Sequence, residues 1–358
     1  MLKEVLQMNT QNTSNAPKVL KESKNRIKVD FERTDLWERI KLKFLSFNFL
    51  TNVVWWIFRL VLLLGISYVI ILPFITKIAS SFMSMEDFAD VTVKLIPRYP
   101  SLDIYKRIIF EHGYLTAVFN TTLLSVSCGL IQTFVCCMIG YGLSKYKFKG
   151  SSLIFALVVF TMVVPHDTLR LSMFMEFRYF DLFGILSLLG GEVFEGFKIL
   201  PVSSITLTNS FAPLYILSIA GLAFKNGLYI FMMRQFFRGV PDELEESAYI
   251  DGSTIFNTFL KIVLPISKPM MITIFLFAFS WQWTDNFYTN VFFTTTSKIT
   301  LMPDIIGVTS VGNTGVAGLY SAAITNTCGL MIILPLIVVY LFCQRYLVQG
   351  IERSGITG

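Results

Sequence analysis

The chain has 358 residues, of which 54% are hydrophobic and only 15% charged. That is more apolar surface than a soluble core of this length buries, so a membrane protein is the implied class. The net charge of +6 is explained by basic residues beside apolar runs, where they set topology, and no nucleic acid partner is called for.

In chain order, residues 1–52 read as a cytosolic tail of mixed charge. Met1 to Ser14 lacks the apolar core of a signal peptide, and a possible amphipathic helix lies around Phe31 to Phe44. Trp55, Trp56 and Arg59 mark an interface before a first span at about Leu60 to Phe82. A polar loop with Pro97, Pro100 and His112 reads as external, and a second span follows at about Tyr114 to Leu143. Lys145, Lys147 and Lys149 then form a positive-inside signal.

The third span, about Ser152 to Phe174, carries Pro165 as an expected kink. An external insertion at about 187–207 separates it from a fourth span at about Phe211 to Met233. The fifth is expected at about Met270 to Phe293, and the sixth at about Val316 to Phe342, with Pro335 inside it. The reading is all-α, a polytopic protein of six transmembrane helices spanning 53–350, with both termini cytosolic and a short tail at 351–358. Cys128, Cys136, Cys137, Cys328 and Cys343 all fall in apolar runs without metal-site spacing, and His112 and His166 read as ordinary polar residues. Asp167, Arg170 and Lys225 are the main charges inside the apolar spans.

Between spans four and five lies the elbow, Val240 to Pro269. Pro241 suits a first helical position, and Asp242, Glu243, Glu245 and Glu246 crowd the first turns, where the helix dipole favours anions. Leu244 and Ala248 share a face, and Gly252 can take the left-handed conformation that ends the helix. Ser253 reads as the cap of a second helix, whose stripe is Ile255, Phe256, Phe259, Leu260 and Val263, limited by Pro265 and Pro269.

This elbow resembles the cytoplasmic EAA loop of ATP-binding-cassette importer permeases. Glu246-Ser247-Ala248, Asp251-Gly252 and Ile262-Val263-Leu264-Pro265 stand at the motif positions, with Ser247 replacing the usual first Ala. Gly140 to Gly150, Phe231 to Phe237, Trp281 to Phe287 and Gln344 to Gly350 resemble, in order, further motifs of the carbohydrate importers, in particular the second permease subunit of the maltose type. The tail and the insertion are departures from that pattern.

The resemblance implies a multi-pass permease in a prokaryotic cell membrane. Its partners would be a homologous second permease in a heterodimer, two ATPase subunits docked on residues 240–269, an extracellular solute-binding protein and membrane lipid. The coupling residues it implies are Glu246, Ser247, Ala248, Asp251, Gly252, Ile262, Leu264 and Pro265, with 351–358 as a second coupling candidate. Asp242, Glu243 and Glu245 read equally as acids solvating a helix start. No phosphate-binding loop or catalytic constellation occurs, so the chain is expected to be no enzyme and to bind no cofactor; ATP and magnesium belong to the partner ATPases.

Gln282, Trp283, Asp285 and Asn286 form a polar group toward the outer end of the fifth span. They are compatible with a substrate path, through hydrogen bonds and stacking on a sugar, but fit helix packing beside an aromatic belt more readily. The expected cargo is a mono- or oligosaccharide, the alternative a non-sugar solute such as a polyamine or glycerol phosphate.

Overall fold

Apolar runs with few breakers dictate long helices, and the breakers decide where those helices stop. The computed structural model describes residues 19–21, 27–29, 47–181, 184–185, 204–294, 299–306, 308 and 311–353. The chain divides into two compact units, residues 1–74 and 75–358. In the first, strands β1 (Val19–Lys21) and β2 (Ile27–Val29) pair antiparallel, a small ladder added to the expected all-α class. Helix α1 (Phe47–Ser81) begins in this unit. The helix expected at Phe31 to Phe44 lies outside the described residues.

The second unit opens with two short helices, α2 (Met85–Ala89) and α3 (Asp103–Phe110). Ser84 and Asp87 close a reciprocal cap on α2, and Asp87 also accepts the backbone N–H groups of Arg98 and Tyr99, which ties the loop together. Helix α4 (Tyr114–Lys145) is the central member. It packs on both α8 (Asn226–Arg238) and α11 (Leu264–Trp283), and α11 packs in turn on α13 (Gly315–Arg353).

Fewer than the six expected spans run uninterrupted among the described residues. Among the described residues four helical stretches are long and apolar enough to cross a membrane: Thr51–Ser81, Tyr114–Lys145, Ile255–Trp283 and Gly315–Leu347. The third expected span is broken into α5 (Ser151–Val163) and α6 (Arg170–Arg178), joined by a 3-10 turn at His166–Leu169 and bent by 94°. Pro165 is the cause, since it holds Val164 in extended backbone and cannot donate to the helix. Counting this pair as one span gives five.

The fourth is also broken, into α7 (Ala212–Ile219) and α8, because Gly221 and Lys225 take positive φ values of 72° and 67°. The fifth ends at Trp283, short of the expected Phe293. There the Asp285 carboxylate turns to accept the N–H groups of Phe287, Tyr288 and Thr289 and starts a separate helix, α12 (Phe287–Phe292). Most of the insertion expected at 187–207 lies outside the described residues; its edges are joined by an antiparallel bridge between Phe180 and Ile205.

Candidate functional site

The elbow folds as two short helices, α9 (Glu243–Ile250) and α10 (Ile255–Thr258). Gly252 makes the turn at φ 81°. Thr254, one residue later than the expected Ser253, caps α10 through its hydroxyl to the Asn257 N–H. The second helix does not stop at Pro265. A π-helical turn at Phe259–Val263 widens the backbone just ahead of the proline, whose ring would otherwise meet the carbonyl four residues back, and the helix runs on into α11.

Of the expected stripe, only Phe259 and Val263 are buried, in the cluster formed with Tyr141, Met233 and Phe237. Ile255, Phe256 and Leu260 face outward, as do Leu244 and Ile250; Phe256 is 67% exposed and Ile250 86%. Large apolar side chains on a charged, turn-rich elbow form a surface that a partner would cover. Glu246, Ser247, Asp251 and Gly252 lie on that exposed surface, Ala248 is buried beneath it, Ile262 and Leu264 are half-buried and Pro265 is exposed.

The acid that the sequence leaves ambiguous is the one the fold uses. Glu245 is 7% exposed and accepts a hydrogen bond from the Tyr141 hydroxyl at 2.8 Å, while Lys145 stands 3.7 Å from its other oxygen. Lys145 also donates to the Val240 carbonyl and to the Asp242 carboxylate. That bond, with the ammonium's charge, holds the Asp242 carboxyl below the usual carboxylate range. Tyr141 and Lys145 stand four apart on one face at the end of α4, and this spacing is the signal that could have singled out Glu245.

The neighbouring motif joins the same junction. Arg234 donates to the Leu143 carbonyl, and its guanidinium lies 3.8 Å from the centre of the Phe155 ring. Gly140 lets α8 approach, since a Cβ there would meet the Met233 Cβ and the Arg234 backbone. Stretches 140–150, 231–237 and 240–265, separate in sequence, therefore meet at one junction.

The polar group at 282–286 is divided by the end of α11. Gln282 and Asp285 line a narrow cleft with Gln132, Phe224, Trp281 and Tyr288. Trp283 is turned into the core at 1% exposure and donates its indole N–H to the Ile332 carbonyl. Asn286 lies on a different cavity with Glu111 and Asn290. Beside the narrow cleft, a cavity of 770 Å³ opens between the two broken spans, lined by His166, Asp167, Phe224, Lys225 and Phe287.

Residues 132–353 match the family described as binding-protein-dependent transport system inner membrane component. The chain belongs to that family. It is 27% identical over 268 residues to the arabinooligosaccharides transport system permease protein AraQ of Bacillus subtilis, covering 73% of this chain and 81% of that one. It is 29% identical to the polygalacturonan/rhamnogalacturonan transport system permease protein YtcP of the same organism, covering 83% and 96%. Its fold matches, with a TM-score of 0.61 and 22% identity over 83% of this chain and 97% of the other, a bacterial ABC transporter crystal structure involved in the import of the acidic polysaccharide alginate. This binding-protein-dependent transport component is a membrane protein of several apolar helices and works as a transport subunit. The family match begins at Gln132, inside α4, and takes in both the elbow and the break cavity.

Proposed function

We propose that this chain is the permease subunit of an ATP-binding-cassette importer that takes up a carbohydrate handed over by an external solute-binding protein. The observation that carries the reading is the elbow: exposed apolar and acidic residues mounted on a buried Tyr141, Lys145 and Glu245 junction that grips two membrane helices. Glu246, Ser247, Asp251 and Gly252 would meet a cleft of an ATPase subunit, with Ala248 allowing close approach and Ile262, Leu264 and Pro265 carrying the contact into α11. The elbow faces the cytosol of a prokaryotic cell, a second, homologous permease completes the pore, and two ATPase subunits hold the ATP and magnesium. Their closure is passed to the spans as rigid-body motion.

The sugar assignment draws on the names of the relatives and on the aromatic and polar lining beside Gln282 and Asp285. A polyamine is the weaker cargo, because Lys225 on the cavity and Arg170 beside it would repel a polycation. The test is uptake by the reconstituted complex, assembled with its binding protein and ATPases, of labelled oligosaccharides against labelled spermidine. ATP-dependent accumulation of an oligosaccharide is expected; accumulation of spermidine alone would overturn the assignment.

A further inference from the structure

Two of the main charges that the sequence places inside apolar spans are held in an unusual way. The Lys225 ammonium sits 4.6 Å from the centre of the Phe224 ring and 5.1 Å from that of Trp281, and the Arg170 guanidinium lies 5.4 Å from the centre of Phe287. Phe224, Lys225 and Phe287 all line the 770 Å³ cavity at the two helix breaks. Among the described residues neither cation has a carboxylate within ion-pair distance.

Aromatic faces stabilise a cation but accept none of its N–H groups in a strong hydrogen bond, so the donors of both groups remain available. Asp285, the acid on the adjoining cleft, is committed to three backbone N–H groups, and Asp167 is the single acid on the cavity wall. The cavity wall therefore carries one cation, Lys225, and one acid, Asp167, with Arg170 beside it as a second cation, roughly 20 Å along α8 from the elbow, by its 13 residues at 1.5 Å each. Its volume is that of a small-molecule site. Lys225 is half-buried, and a half-buried cation of a membrane component that lacks an ion pair costs free energy unless something uses it.

We infer that the break cavity is a transit site for a carbohydrate that bears a carboxylate, a uronic-acid oligosaccharide, with Lys225 as its main contact and Arg170 as its second. The inference rests on the carbohydrate reading above and narrows its substrate class. The carboxylate takes charge-assisted hydrogen bonds from the two cations. Asp167 and His166 are then left for sugar hydroxyls.

The experiment uses the whole complex in proteoliposomes with its binding protein, and as probes a labelled digalacturonide, its uncharged counterpart galactobiose and glycerol 3-phosphate. Uptake of the digalacturonide is expected. Lys225→Asn, a residue that tolerates the left-handed backbone, is expected to lower that uptake about tenfold with the affinity of the binding protein unchanged, whereas Lys225→Arg keeps it within about threefold. Arg170→Gln gives a smaller loss. Co-purification of partner subunits with each variant reports assembly. Digalacturonide uptake undiminished in Lys225→Asn, or uptake of galactobiose alone, overturns the acidic-sugar site and leaves the sugar importer standing. Uptake of glycerol 3-phosphate and of neither sugar overturns both.

Discussion

The two ends of the helix group formed by α4, α8 and α11 are built on opposite principles. At the elbow end, Gly140 brings backbones together, and Tyr141 packs edge-on against Phe237 and tilted against Phe259 over a buried acid. At the other end, Pro165, Gly221 and Lys225 break the neighbouring helices, and aromatic rings hold cations around open space. The proposed function gives each end a use: a stiff joint where force would enter and a yielding region where cargo would pass. Strain at a special backbone geometry is tolerated where it makes room and would be harmful where it softened the joint.

The sharpest way to break this contrast is to wedge the tight end. Gly140→Val places methyl groups against Met233 and the Arg234 backbone, and overpacking of about 1–3 kcal/mol or more is expected, read as a lowered Tm of the purified complex or as failure to accumulate. Next in size, Tyr141→Phe leaves a buried Glu245 oxygen without its donor, for a loss of about 1–3 kcal/mol in the same assay. Glu245→Gln should be milder than Glu245→Leu, because an amide can still accept from Tyr141.

Gly252→Val tests transmission rather than packing. Nothing crowds the site, so the cost of about 1–2 kcal/mol comes from φ 81° alone. ATP hydrolysis should survive while uptake falls, and uptake at the normal level with normal expression would count against a coupling role. At the loose end, Gln282→Ala should lower uptake by a few-fold, the size of one lost hydrogen bond of about 1 kcal/mol, and Asp285→Ala by more, because it also strips the acceptor from three backbone N–H groups at the start of α12; normal affinity and rate in both would remove these residues from the path.

The smallest effect concerns Asp242. Its carboxyl titrates below the ordinary 3.8 in the folded chain, so the stabilisation from Lys145 is complete above that value and is lost only as pH falls through the depressed one. Elbow integrity, followed by limited proteolysis, should therefore be flat from neutral pH to about 4, and Asp242→Asn should change it little because the Asp242 carboxylate is exposed.

The elbow was legible because its signals are local: proline, acids, a glycine and a spaced stripe within thirty residues. The motifs around Gly140 and Arg234 were legible as patterns, but their meeting was not, since Tyr141 and Glu245 are 104 positions apart. Leu244 was expected to share a face with Ala248, yet Ala248 is buried with Glu245 while Leu244 is exposed, because the buried partner on α4 is a tyrosine beside a lysine. The broken spans escaped a reading by hydropathy, which averages over windows wider than the breaks. Pro165 was visible as a kink, though the turn of 94° was not, and nothing local marks Lys225 as a left-handed residue.

The π-turn ahead of Pro265 has a mechanical consequence. Because it keeps the helix continuous, Ile255–Trp283 is a single rod of 29 residues, roughly 44 Å long at 1.5 Å per residue. One end lies in the elbow; the other carries Trp281, against the Lys225 ammonium. Swung about a fulcrum near its start, a rod of that length turns a tilt of about 5° into a stroke of roughly 4 Å at the far end. A displacement of that size would be enough to pull an aromatic face away from the cation it shelters.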